Sequence, residues 1–274
     1  MNSDWMTTIT SICQNLLSSK SDVFVSFGLN IVTGLSVIRF VLFGISSALH
    51  AADGRHGVEW GSFFHHILVI GAAMTMLRGY NTPVLGLPDS FPKTIMNGPL
   101  YLAHQIGDDS YKQIERTFES IEKNNPPSAT LSISLALSRW TLEGLIALTR
   151  GVMLIVMSYG FIGSAVCALV GPVFIAFLVF EPMSFMFWGW FKTFLQYSFY
   201  PVVGAAYTHI FSTVLVNVIN DTSQPITAFV ALMPLLILTV VGMLQAPQMC
   251  AALFTGGGGD HQGIASTAIK LAGI

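Results

Sequence analysis

The sequence predicts an all-α polytopic membrane protein with about five transmembrane helices, six being the alternative count, plus an amphipathic N-terminal helix and an extramembrane helical loop. Three observations predict it. Charged residues are 9% of the 274-residue chain, against roughly a quarter in ordinary soluble domains. Hydrophobic residues are 53%, and the mean hydropathy is +0.65. Residues 151–250 carry only Glu181, Lys192 and Asp221 as formal charges, a composition suited to lipid and not to water.

Residues 1–22 read as the amphipathic helix, periplasmic in the orientation argued below. Trp5, Ile9, Ile12, Cys13, Leu16 and Leu17 recur at helical spacing, opposite a polar face of Asn2, Ser3, Thr7, Ser11, Gln14, Asn15 and Ser18. Interfacial helices on anionic lipid carry Lys and Arg on the polar side. This uncharged face fits partner packing or the lining of a hydrated space, with a surface-lying anchor as the alternative. The segment has no basic n-region and no small-residue cleavage site, so no cleavable signal peptide is expected.

Residues 23–77 hold two spans. The first, over 24–49, is apolar except for Asn30, Thr33 and Arg39, and exceeds the roughly 20 residues needed to cross hydrocarbon. A polar turn over 50–59 leads to a second span over 60–77, softened by His65 and His66. Residues 78–144 form the extramembrane loop. Its first part scatters Asn81, Pro83, Gly86, Pro88, Pro92, Gly98 and Pro99 with no sustained period. Then Tyr111, Ile114, Phe118 and Ile121 fall at 3-4-3 spacing among charged neighbours, an amphipathic helix that packs on one stripe. Asn125-Pro126-Pro127 ends it. Residues 131–138 alternate like a strand but run without a breaker into a helical pattern, which favours helix.

Residues 145–246 form a C-terminal bundle of about three spans. The stretch 145–180 is too long for one straight crossing, and Gly171-Pro172 interrupts it, so it is a kinked span or a span with a re-entrant piece. Residues 183–200 are strongly aromatic. Aromatic belts sit at headgroup level, which assigns Trp188, Trp190 and Lys192 to the bilayer interface before Pro201. The last span is 226–244, and 247–274 is a flexible Gly-rich tail. With the amino terminus outside, Arg55, Lys192 and Lys270 are cytoplasmic against Lys20 alone in short external segments. The positive-inside bias favours that orientation.

Several chemistries are disfavoured. A net charge of −2 offers no basic surface for stable nucleic-acid binding. Cys13, Cys167 and Cys250 make neither a disulfide framework nor a CxxC site. His65 and His66 are adjacent, point about 100° apart on a helix, and cannot share a metal as i,i+4 histidines do. No motif joins a nucleophile to a base, so neither an enzyme nor a cofactor is expected. Arg39 costs roughly 2.5–3.5 kcal/mol at a helix centre. It is either a paired or pore-facing cation or a snorkelling one; Glu181 is its best partner by chemistry. Scarce intramembrane charge disfavours coupled transport, although a small-solute or ion transporter or channel acting alone stays the alternative function.

The run GPVFIAFLVFEPMSFMFWGWFKTFLQYSFYPVV (residues 171–203), a final span, and then APQMCAALFTGGGG (residues 246–259) resemble the TrbL/VirB-six family, the polytopic inner-membrane subunit of type IV secretion and conjugation machines. The matching elements are the break at Pro172, the acidic turn Glu181-Pro182, the aromatic stretch with Trp188, Trp190 and Lys192, and Pro201. Family members often carry more basic residues after that turn than the single Lys192 here. The resemblance implies a non-enzymatic homo-oligomer in a bacterial inner membrane, at the base of the periplasmic stalk. It would support pilus biogenesis and translocation of protein or DNA. Implied partners are membrane lipid, pilin, the stalk and stalk-tip subunits, the scaffold subunit and cytoplasmic ATPases, with transient contact to cargo. On the amphipathic stripes, partner contacts are expected at Trp5, Ile9, Ile12 and Leu16, and at Tyr111, Ile114, Phe118 and Ile121.

Overall fold

No proline interrupts the first fifty residues. In the computed structural model, which describes residues 4–53, 60–83, 89–124, 133–221 and 225–255, they form one helix, α1 (Asp4–Ala52). The amphipathic segment and the first span, read as separate pieces, are therefore continuous over about 73 Å at 1.5 Å per residue. There follow α2 (Trp60–Arg78), α3 (Phe91–Asn124) and α4 (Ile133–Ala176). Two 3₁₀ turns, Phe177–Val179 and Glu181–Met183, lead into α5 (Ser184–Asp221) and α6 (Pro225–Thr255). Among the described residues the only β pairing is an isolated bridge between Pro83 and Ser90.

Among the described residues, five stretches are long and apolar enough to cross a membrane: Thr8–Ala52, Trp60–Arg78, Glu143–Val179, Glu181–Val218 and Met233–Phe254. The fold class is thus all-α and polytopic, with the expected five spans. Three details differ from the sequence reading. Helix α3 begins at Phe91, inside the stretch read as aperiodic; Pro92 occupies the first turn, where a missing N–H costs nothing, and Pro99 is absorbed within the helix. Helix α5 runs from the aromatic stretch through Pro201 without a break. Helix α6 continues to Thr255 through Pro247, so nine residues assigned to the tail are helical; Gly256 to Gly259 and the rest of the tail lie outside the described residues.

The chain divides into two compact units. The first comprises residues 1–98 and 161–198, and its core gathers Cys13, Leu17, Val32, Leu77, Tyr80, Ile175, Val179 and Phe194. Its central device is the Gly171-Pro172 step in α4. Pro172 has no N–H, so the Ala168 carbonyl loses its helical donor. The Tyr80 hydroxyl donates to that carbonyl, and the Trp190 indole N–H donates to the neighbouring Cys167 carbonyl at 2.8 Å. Burial, with a smaller effect of Cys167, pushes the Tyr80 hydroxyl well above the usual phenol range, which keeps it a donor. Gly171 leaves room for this: a Cβ there would collide with the Tyr80 hydroxyl and lie 2.6 Å from the Trp190 ring. Gly28 likewise lets α1 approach, since a Cβ would come within 2.5 Å of the Pro172 carbonyl oxygen. At the Tyr80 end, Asn81 accepts from Ser21 at 2.9 Å and donates to Asp22 at 2.7 Å, fixing α1 to the chain leaving α2.

The second unit comprises residues 99–160 and 199–274. Ile114 of α3, Ile146 and Met153 of α4, Phe211 and Leu215 of α5, and Leu236 and Met243 of α6 make its core. Gly107 and Ala205 pack closely enough that a Cβ on the glycine would sit 3.1 Å from the alanine methyl. Ser110 and His209 Nδ1 share a hydrogen bond at 2.7 Å.

Candidate functional site: a buried cation and the cavity beside it

Arg39 lies in α1 and is 5% exposed. A guanidinium has five donors and no acceptor capacity, and three acceptors meet it. Nη1 donates to the Val179 carbonyl. Nη2 donates to Glu181 Oε1 at 2.7 Å and to His66 Nδ1 at 3.0 Å. Because the guanidinium can only donate, Nδ1 of His66 is the accepting nitrogen and the ring carries its proton on Nε2.

The acceptors are created by the EP sequence of the α4–α5 turn. In a 3₁₀ turn the Val179 carbonyl would bond the N–H of residue 182, and Pro182 has none. The next amide, of Met183, goes to the Phe180 carbonyl at 2.9 Å, with Phe180 extended between the two turns. Val179 therefore presents a bare carbonyl toward α1. Glu181 follows it, with its side chain 69% exposed.

Beside this cluster is a cavity of about 600 Å³. From α1 it is lined by Arg39, Leu42, Phe43, Ser46, Ser47 and His50; from α2 by Gly61, Ser62, His65 and His66; from the turn by Phe180, Glu181 and Pro182. No group of three His, Cys, Asp or Glu side chains among the described residues has metal-ligating geometry. The arrangement can hold a buried cation, and it can bind a polar group in an otherwise apolar setting.

The site residues read from sequence are distributed as follows. Arg39, Glu181 and Pro182 come together here. Pro172 and Trp190 are both buried in the first unit, where Trp190, 6% exposed, packs inside the protein; Trp188, two positions earlier, is 53% exposed. Two residues apart on a helix is about 200° around its axis, and so one indole faces the protein and the other faces out. Lys192 is exposed and Pro201 is buried within α5. The N-terminal stripe splits: Ile9 packs against the core with Cys13 and Leu17, while Ile12 and Leu16 are 61% and 40% exposed. Ile114, expected to face a partner, is 4% exposed and belongs to the chain's own core. Periodicity reveals that a stripe is covered, not by whom. The side chains of Trp5, Tyr111, Phe118 and Ile121 lie outside those described. His66 and the Val179 carbonyl were missed. Adjacent histidines suit a hydrated interface position better than a metal site, with nothing to point either ring at Arg39, and a carbonyl freed by the tertiary course of a turn leaves no residue type to notice.

Residues 36–248 match the family model described as TrbL/VirB6 plasmid conjugal transfer protein. A search of curated proteins returns no match for the chain.

Proposed function

Since the chain belongs to the TrbL/VirB6 family of plasmid conjugal transfer proteins, and is a multi-pass membrane component of conjugal transfer or type IV secretion machinery, we propose that it acts as a structural and channel subunit of that machine. In this reading it oligomerises in the inner membrane at the base of the periplasmic stalk, and supports pilus biogenesis and the passage of protein or DNA. The amino terminus and the loop around α3 face the periplasm; the α1–α2 hairpin and the turn at Glu181 face the cytoplasm. Partners are the pilin, the stalk and stalk-tip subunits, the scaffold subunit and the cytoplasmic ATPases.

The family match over most of the chain carries the reading. Two physical features support it. The buried cation Arg39 joins the α1–α2 hairpin to the α4–α5 turn, a structural role within the fold. The exposed Ile12 and Leu16, on the part of α1 that precedes the family match, offer apolar surface for a neighbouring subunit.

Ile12→Asp combined with Leu16→Asp tests it, because neither side chain is buried in the chain's own core. In cells carrying the complete transfer apparatus, the double variant is expected to insert at normal levels, to lose co-purification of stalk subunits, and to lower transfer at least about tenfold, a loss of about 1.4 kcal/mol or more in assembly. Normal transfer with intact co-purification would overturn the assignment of this surface.

A further inference from the structure

The Arg39–Glu181 pair lies short of the end of the α1–α2 hairpin. His66, at the same level, is six residues in from Trp60, about 9 Å along the helix at 1.5 Å per residue. From this level toward the hairpin's end, Val41, Ile45 and Leu49 of α1, and Phe64 of α2, are exposed apolar side chains. Glu181 presents an exposed carboxylate close to this apolar surface, at the turn between two spans. An ionised carboxylate is not stable against hydrocarbon, so a lipid that fills the cavity must offer it a donor.

The cavity has two kinds of wall. Leu42, Phe43 and Phe180 are apolar, whereas His50, His65 and the Arg39–Glu181 pair are polar. Its volume of about 600 Å³ falls among small-ligand sites, roughly 300–1,000 Å³. A cation and an anion side by side, next to an apolar wall at the edge of the bilayer, match an amphiphile that bears both charges. A purely anionic headgroup would meet the charge of Glu181, and a quaternary ammonium has no N–H to donate to it.

We infer that the cavity beneath the α4–α5 turn holds the headgroup of a zwitterionic phospholipid with a primary ammonium. The ammonium donates to the exposed carboxylate of Glu181. The phosphodiester lies against the imidazoles of His50 and His65 and the guanidinium edge of Arg39. The first acyl carbons cover Leu42 and Phe43.

The full-length protein in neutral detergent is titrated with short-chain phosphatidylethanolamine, phosphatidylcholine or phosphatidylglycerol, and binding is read by native mass spectrometry alongside thermal unfolding. Phosphatidylethanolamine is expected to bind about tenfold more tightly than the other two, the scale of one charge-assisted hydrogen bond. Equal binding of the three overturns the inference. Ser47→Phe from α1 and Gly61→Phe from α2 fill the cavity without touching the ion pair; at Gly61 an added Cβ meets no atom within 4 Å. Either variant, if it melts like wild type without lipid, should lose the preference, and a preference that survives filling overturns the site. Placing the substitutions on two helices keeps the test readable if one of them misfolds. Soluble glycerophosphoethanolamine is the remaining arm: its failure to compete supports a bilayer lipid, and competition at equal concentration overturns the lipid in favour of a free phosphodiester.

Discussion

A guanidinium in an apolar helix is stable only where acceptors reach it, and Arg39 has three of different chemistry: a carbonyl, a carboxylate and an imidazole nitrogen. Removing the charge of Glu181 leaves the cation with neutral acceptors only. Glu181→Gln should therefore cost about 1–3 kcal/mol, below the 3–5 kcal/mol typical of breaking a fully buried pair, because the carboxylate is 69% exposed and its charge is already partly screened. Arg39→Met together with Glu181→Gln should be closer to wild type than Arg39→Met and Glu181→Gln added separately. Thermal unfolding of the four proteins in one detergent measures this coupling, and strictly additive losses would refute it. The two charges stood out in the sequence because so few interrupt the apolar runs. Their separation of 142 residues was what only the fold could close.

Helix α4 absorbs its proline through the neighbouring elements. Tyr80, just after α2, donates to Ala168, and Trp190 of α5 donates to Cys167. The first of these bonds replaces the one Pro172 withholds, so the value of Tyr80 depends on that proline. Tyr80→Phe should destabilise the protein by about 1–3 kcal/mol. In a Pro172→Ala background the restored helical N–H competes for the same carbonyl, and the cost of Tyr80→Phe should shrink. An unchanged cost in both backgrounds, measured by unfolding in detergent, would show that Tyr80 acts by packing alone. The break at Gly171-Pro172 was legible; its continuity as helix was not, because a proline's effect depends on whether another element supplies a donor. The same limit applies to α3. Ile114 lies on an apolar stripe, and it is buried in a cluster drawn from α4, α5 and α6 of the same chain. Ile114→Ala should accordingly cost about 2–5 kcal/mol of stability in the isolated protein, where a residue that served only a partner would cost none.

Five spans put the two termini on opposite sides of the membrane. Fusing a reporter active only in the cytoplasm to each end in turn should give signal from the carboxy-terminal fusion alone; signal from both ends would require an even number of crossings. The span count, the helical class and the family resemblance all follow from the order of residues, because each rests on local quantities: run length, hydropathy, and the succession of glycine, proline, acidic and aromatic residues. The tertiary structure decided the rest. It chose between a snorkelling and a paired Arg39, turned Trp190 inward and Trp188 outward, and made a cavity from helix ends and a turn that are far apart in the chain. Pairing and burial are relations between segments, and no periodicity within one segment encodes what the opposite segment presents.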